Sequence, residues 1–117
     1  MEFDLFKKLY EAALKEGMEL EDYIAGIGYQ GWMDGYNPEE VRDILTKIYI
    51  LATNPLKSTR EGSQKGFSEQ YSIPLRTLQS WDMGEYKIKA YTKMLIDFAQ
   101  FSNQFGGNEK LSKLWKT

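Results

Sequence analysis

The sequence predicts an all-α fold, and three observations predict it. Every patterned segment repeats its apolar residues at three- and four-residue spacing, the period of a helix with one buried face. Helix-start and helix-stop residues bracket those segments at the places where capping chemistry needs them. No segment alternates with the period of two that a half-buried strand requires, and no internal repeat is visible.

The first helix is expected from Phe3, Phe6, Leu9, Tyr10, Ala13 and Leu14, with Lys7, Lys8, Glu11 and Lys15 facing water and Gly17 ending it. Leu20, Tyr23, Ile24 and Ile27 mark a second, shorter helix, followed by a stretch rich in glycine and aromatic residues from Gly26 to Tyr36. Asn37-Pro38-Glu39-Glu40 reads as a strong helix start. Asn37 caps, Pro38 takes a position whose N–H is unused, and both glutamates face the positive end of the helix dipole. Val41, Ile44, Leu45, Ile48 and Leu51 form its apolar stripe, and Asn54-Pro55 stops it. Another helix opens at Ser63 and carries Phe67 and Tyr71. A turn at Ser72-Ile73-Pro74 leads into a helix over 75–83, closed by Gly84. The last long helix carries Tyr91, Met94, Leu95, Phe98, Phe101 and Phe105 until Gly106-Gly107 breaks it, and Leu111, Leu114 and Trp115 suggest one more short amphipathic turn.

Composition narrows the chemistry. The 117 residues hold no cysteine and no histidine, so disulfides, thiolate catalysis and the commonest general base and metal ligand are all missing. Gly26-Ile27-Gly28-Tyr29-Gln30-Gly31 matches the G-x-G-x-x-G pattern formally. That pattern needs a preceding strand and a following helix to present backbone N–H groups to a pyrophosphate, and neither is expected here. Glu19 with Asp22 and Glu39 with Asp43 could share helix faces, but such pairs at helix starts complement the dipole and stay solvated. The expectation is a protein without catalytic residues, cofactor or metal. The longest apolar run, Ile48 to Ala52, is far short of the roughly 20 residues that span a bilayer. The opening Met-Glu-Phe-Asp lacks the order of a signal peptide, so a cytoplasmic protein with no membrane association is expected.

Charge divides the chain. Residues 1–56 carry five basic and eleven acidic side chains, a net of −6, whereas residues 57–93 carry seven basic and four acidic, a net of +3. Residues 94–117 add +1 and return the overall −2. The organisation expected is a helical N-terminal subdomain over 1–54, a second helical domain over 55–105 and a tail over 106–117.

The run Ser63 to Gly84 carries the functional signal. Phe67, Tyr71, Ile73, Leu78 and Trp81 are spaced to bury together where two short helices cross, and Ser68 is small enough to let the backbones approach. Pro74 forces Ile73 into an extended conformation and pre-sets the second helix. Leu75, Arg76, Gln79 and Ser80 then point outward. An exposed Arg can hold guanine and an exposed Gln adenine, each through two hydrogen bonds in the major groove.

Ile73-Pro74-Leu75-Arg76-Thr77-Leu78-Gln79-Ser80-Trp81-Asp82-Met83-Gly84 resembles the form I-P-x-R-T-x-Q-x-W-E-x-G, found in a bacterial subgroup of the lambda-repressor/Cro-like (XRE-type) helix-turn-helix proteins of bacteria, phages and mobile elements. The resemblance covers about residues 57–100. It implies a helix-turn-helix in the C-terminal half, sequence-specific binding of double-stranded DNA by helix 75–83, a homodimer on a two-fold operator and a role in transcription regulation. It places Ser63 and Gln64 on phosphate and Arg76, Thr77, Gln79 and Ser80 toward the DNA, and a DNA-binding regulator built this way is expected to add Lys65 and Lys87 as further phosphate contacts. Ser72 stands at a turn position where the family favours glycine. A positive φ there would cost serine on the order of 1–2 kcal/mol. Gly66 lies within the first motif helix, and the helix before it is either shortened to residues 55–61 or replaced by the long helix over 38–53.

A second reading keeps the fold but makes it a protein-binding module, such as an antitoxin or a phage-encoded inhibitor of a host defence protein. The acidic N-terminal half and an aromatic set of three Trp, eight Tyr and six Phe favour it. Trp32 and Tyr36 are its candidate interface residues, in a cluster with Tyr23 and Tyr29 that could serve as a hot spot or as a roof over the core.

Overall fold

A computed structural model describes residues 1–15 and 17–105. Among them are seven α-helices and no strand: α1 Phe3–Ala13, α2 Leu20–Ile27, α3 Pro38–Thr53, α4 Leu56–Thr59, α5 Gln64–Tyr71, α6 Leu75–Met83 and α7 Ala90–Phe105, with a 3₁₀ turn at Gly31–Gly35. The expected turn at Leu111, Leu114 and Trp115 lies outside the described residues. Among the described residues no helix is long and apolar enough to cross a membrane.

The helix starts follow local chemistry. Asn37 Oδ1 accepts from the Glu40 N–H at 2.9 Å, while Glu40 Oε1 accepts from the Asn37 N–H at 3.0 Å. This reciprocal box, with Pro38 in the first turn, fixes where α3 begins. From there Ile44, Leu45, Ile48, Leu51 and Ala52 turn inward and make α3 the axis of the larger core.

That core gathers α1, α2, α3 and α7 around Phe6, Leu9, Tyr10, Tyr23 and Phe101. Phe6 meets Phe98 at 5.0 Å and Phe101 at 5.4 Å between ring centroids, and Phe3 meets Phe98 edge-on at 5.2 Å, so the α1–α7 seam is aromatic. Each large apolar side chain buried in this way contributes roughly 1.5–3 kcal/mol. A smaller core of Leu56, Phe67 and Leu78 holds α4, α5 and α6, backed by Tyr71, Ile73, Trp81 and Ile88. Helix α7 walls both cores. Met94, Phe98, Phe101 and Phe105 face the larger one and Ile96 the smaller.

The structure departs from the sequence pattern in three places. Helix α1 ends at Ala13, before Gly17, and Leu14 beyond it is 53% exposed, because Phe6, Leu9, Tyr10 and Ala13 already complete the buried face. On α7, Tyr91 and Leu95 are 60% and 51% exposed, while the polar Asp97 and Gln100 are buried. A helix with neighbours on two sides turns a different stripe to water than a simple count of apolar residues assigns. Trp81, expected to bury with Phe67, Tyr71, Ile73 and Leu78, packs against the second core and stays half-buried.

Ser72 has φ 55° and ψ 38°, the left-handed conformation anticipated at the turn. Its side chain is exposed. Ser72→Gly is therefore expected to stabilise the chain by about 1 kcal/mol, read as a higher urea midpoint with an unchanged slope.

Candidate nucleic-acid interface

The helix pair α5–α6 is assembled from short-range contacts. Ser63 Oγ accepts from the Gly66 N–H at 3.0 Å and caps α5. The absence of a side chain at Gly66 serves this cap, since a Cβ there would stand 3.2 Å from the Ser63 hydroxyl, closer than such contacts normally come. At the far end the Ile73 N–H donates to the Ser68 carbonyl at 3.0 Å, and Ser68 Oγ donates to the Ile73 carbonyl. Ser68 thus ties the turn by hydrogen bonds, beyond the small size its sequence position suggested. Helix α6 closes on Gly84 at φ 77°, where the Glu85 N–H reaches the Ser80 carbonyl at 3.0 Å.

A second tie runs across the pair. Arg60 grips Asp82 through both guanidinium nitrogens, with Nη1 2.7 Å from Oδ1, and Gln64 Nε2 donates to Asp82 Oδ2 at 2.7 Å. Both ends of the ion pair are only 11% exposed. The Arg60 guanidinium, with help from Gln64, holds the Asp82 carboxyl below the usual carboxylate range against the opposing effect of burial. The loop before α5, the start of α5 and the end of α6 are fixed together by this charge-assisted fork. Sequence reading missed it, because 22 residues separate Arg60 from Asp82 and no local pattern links them.

The outward face of α6 brings three of the sequence candidates together. Arg76, Gln79 and Ser80 line one shallow surface groove with Leu75, Met83 and Glu85. Arg76 and Gln79 are exposed and engage no other side chain among the described residues. Thr77 is half-buried, and Ser80 sits beside Glu85, with Oγ 3.5 Å from Oε2. Lys65 and Lys87 are exposed and lie outside this groove. Ser63 is occupied as a cap and the Gln64 amide by Asp82.

Of the seven cations between residues 57 and 93, Arg60 and Lys93 are drawn into ion pairs. Lys57, Lys65, Arg76, Lys87 and Lys89 remain exposed, against exposed Glu61, Glu69 and Glu85.

Trp32 and Tyr36 lie elsewhere, in and after the 3₁₀ turn. Both are half-buried against the larger core and meet edge to face at 6.1 Å, and Trp32 Nε1 donates to Gln30 Oε1 at 2.8 Å.

Comparison with known proteins finds no match for this chain among family models, curated proteins or solved structures.

Proposed function

We propose that this protein is a sequence-specific DNA-binding regulator of transcription that uses α5–α6 as a helix-turn-helix and lays α6 in the major groove. The observation that carries the reading is the pairing of Arg76 and Gln79 on the open face of a short helix closed by Gly84, with neither side chain engaged by another among the described residues. Rigid placement matters here. A bidentate contact to a base edge needs its helix held in one orientation, and the Ser68 turn and the Arg60–Asp82–Gln64 fork supply that. The I-P-x-R-T-x-Q-x-W pattern supports the same assignment.

Arg76 takes guanine and Gln79 adenine, while Lys65 and Lys87 meet phosphates on either side. Leu75, 36% exposed at the start of α6, suits a thymine methyl. Nine residues of α6 span roughly 14 Å, too little duplex for high specificity, so two copies related by a two-fold axis read two half-sites.

Titration of labelled duplexes by fluorescence anisotropy tests this. On a preferred site Arg76→Ala is expected to cost about 1–3 kcal/mol, with little change on random DNA. Lys87→Ala is expected to weaken all duplexes alike and to lower the salt slope by roughly one. Equal losses on preferred and random DNA for Arg76→Ala would remove its role in base reading.

A further inference from the structure

A pocket of about 200 Å³ lies where α3 and α7 of the larger core meet α5 of the smaller one and the connection that precedes it. Phe67 apart, its lining among the described residues is polar. Two of the lining side chains carry charge, Lys47 from α3 and Glu61 from the α4–α5 connection. They form no ion pair with each other or with any other described residue. Arg60, next to Glu61 in the chain, is committed to Asp82 and does not neutralise it. Lys47 is half-buried. Glu61 acts on the pocket wall, where burial first and the Glu61 charge second hold the Tyr71 phenol above its usual range. Four carboxamides complete the lining: Gln70, Gln100, Asn103 and Gln104. Gln100 is only 9% exposed, and its Nε2 donates to Asp97 Oδ1 at 3.4 Å, while its Oε1 accepts no hydrogen bond from the described residues.

We infer that this pocket binds a free amino acid with a polar side chain, its carboxylate on Lys47, its ammonium on Glu61 and its side chain among the carboxamides. The volume lies below the roughly 300–1,000 Å³ of drug-sized sites and suits a molecule this small. Both ends of a zwitterion gain a charge-assisted partner here. Carboxamides donate and accept, so they can match an amide or a hydroxyl. Other occupants leave something unpaired. An inorganic anion meets Lys47 but stands beside Glu61, and a metal ion finds a single carboxylate. A neutral sugar leaves both charges without a partner. An apolar molecule strips water from the polar lining and returns no hydrogen bond. Helix α6 contributes none of the lining, so the inference does not depend on DNA reading.

Thermal unfolding of the full chain, without DNA, in millimolar amounts of each standard amino acid, of glucose and of inorganic phosphate tests this. At least one of L-glutamine, L-asparagine, L-serine and L-threonine is expected to raise the midpoint progressively with its concentration, while leucine, glucose and phosphate leave it unchanged. By calorimetry, the affinity of the most effective of these should fall about tenfold in Lys47→Met and in Glu61→Gln, since neither side chain has a partner in the fold to lose. Its N-acetyl derivative, which lacks the ammonium charge, should bind the unaltered chain about tenfold less tightly, but Glu61→Gln as well as the parent does. Because the lining joins α5 to α3 and α7, hydrogen exchange in α5 should slow when that amino acid is bound.

No shift with any amino acid would overturn the inference, as would equal stabilisation by leucine, glucose or phosphate. Affinity unchanged in both Lys47→Met and Glu61→Gln would place the amino acid elsewhere and overturn it equally.

Discussion

Lys93→Met is expected to destabilise the protein by about 3–5 kcal/mol at neutral pH. Lys93 Nζ donates to Asp97 Oδ2 at 2.6 Å, to the Leu51 carbonyl at 2.7 Å and to the Tyr10 hydroxyl at 3.3 Å. Asp97 has no exposed surface, and it also accepts from Tyr10 at 2.7 Å and from Gln100 at 3.4 Å. One ammonium therefore joins α7 to α1 and to the last turn of α3. Removing it strands a carboxylate in the larger core with only neutral donors. Lys93→Met combined with Asp97→Leu is expected to recover much of the loss, because the charge that needed a partner is gone.

The pH dependence has a definite sign. Burial holds the Asp97 carboxyl above the usual carboxylate range even with Lys93, Tyr10 and Gln100 opposing it. The folded state then keeps a proton that the unfolded state has released, so stability falls as pH rises from the ordinary carboxylate value through the folded one. Without Lys93 that window widens upward, and the deficit of Lys93→Met in urea unfolding should shrink on mild acidification. A deficit that is independent of pH would mean that Asp97 is not the group left stranded. Asp82 behaves oppositely. Arg60 lowers its carboxyl, so its contribution is present at neutral pH and lost as pH falls below the usual carboxylate range.

Leu78→Ala is expected to cost about 2–5 kcal/mol, and to cost it locally. Leu78 is fully buried in a core whose other buried members among the described residues are Leu56 and Phe67. The partly exposed Tyr71 and Trp81 beside it cannot collapse into the space without losing their own contacts. With α5 and α6 only eight and nine residues long, neither helix persists without that core. Hydrogen exchange should show protection lost across α5 and α6 and retained in α1 and α3. Uniform loss along the chain would show instead that the two cores unfold as one unit.

What could be read from the sequence was local. Asn37, Pro38 and Glu40 announced the start of α3 and Gly84 the end of α6, because each depends on residues within one helical turn. Which side of a helix meets water was less legible. The spacing of Tyr91, Met94, Leu95 and Phe98 marks one stripe, but α7 has partners on two sides, so Tyr91 and Leu95 were left out and Asp97 was drawn in. A buried aspartate carries no sequence signal of its own. Only the i,i+4 spacing to Lys93 hinted at it, and that spacing is commonplace on exposed helices.

The candidate interface divides in the same way. The outward position of Arg76 and Gln79 follows from helical phase relative to Leu78. The engagement of Gln64 by Asp82, and the loss of Arg60 from the free cations, depend on tertiary contacts that no spacing records. The aromatic cluster of Tyr23, Trp32 and Tyr36 belongs to this second class too: its residues were visible in the sequence, but their packing on the larger core is a tertiary fact.

Selection of binding sites from a pool of random DNA duplexes tests base reading by α6. The expected result is enrichment of a two-fold symmetric site whose half-sites each contain guanine next to adenine and lie about one helical turn, roughly 34 Å, apart. The guanine preference should vanish for Arg76→Ala and the adenine preference for Gln79→Ala. A pool that stays random after repeated rounds at low salt, or a motif that survives both substitutions unchanged, would contradict it.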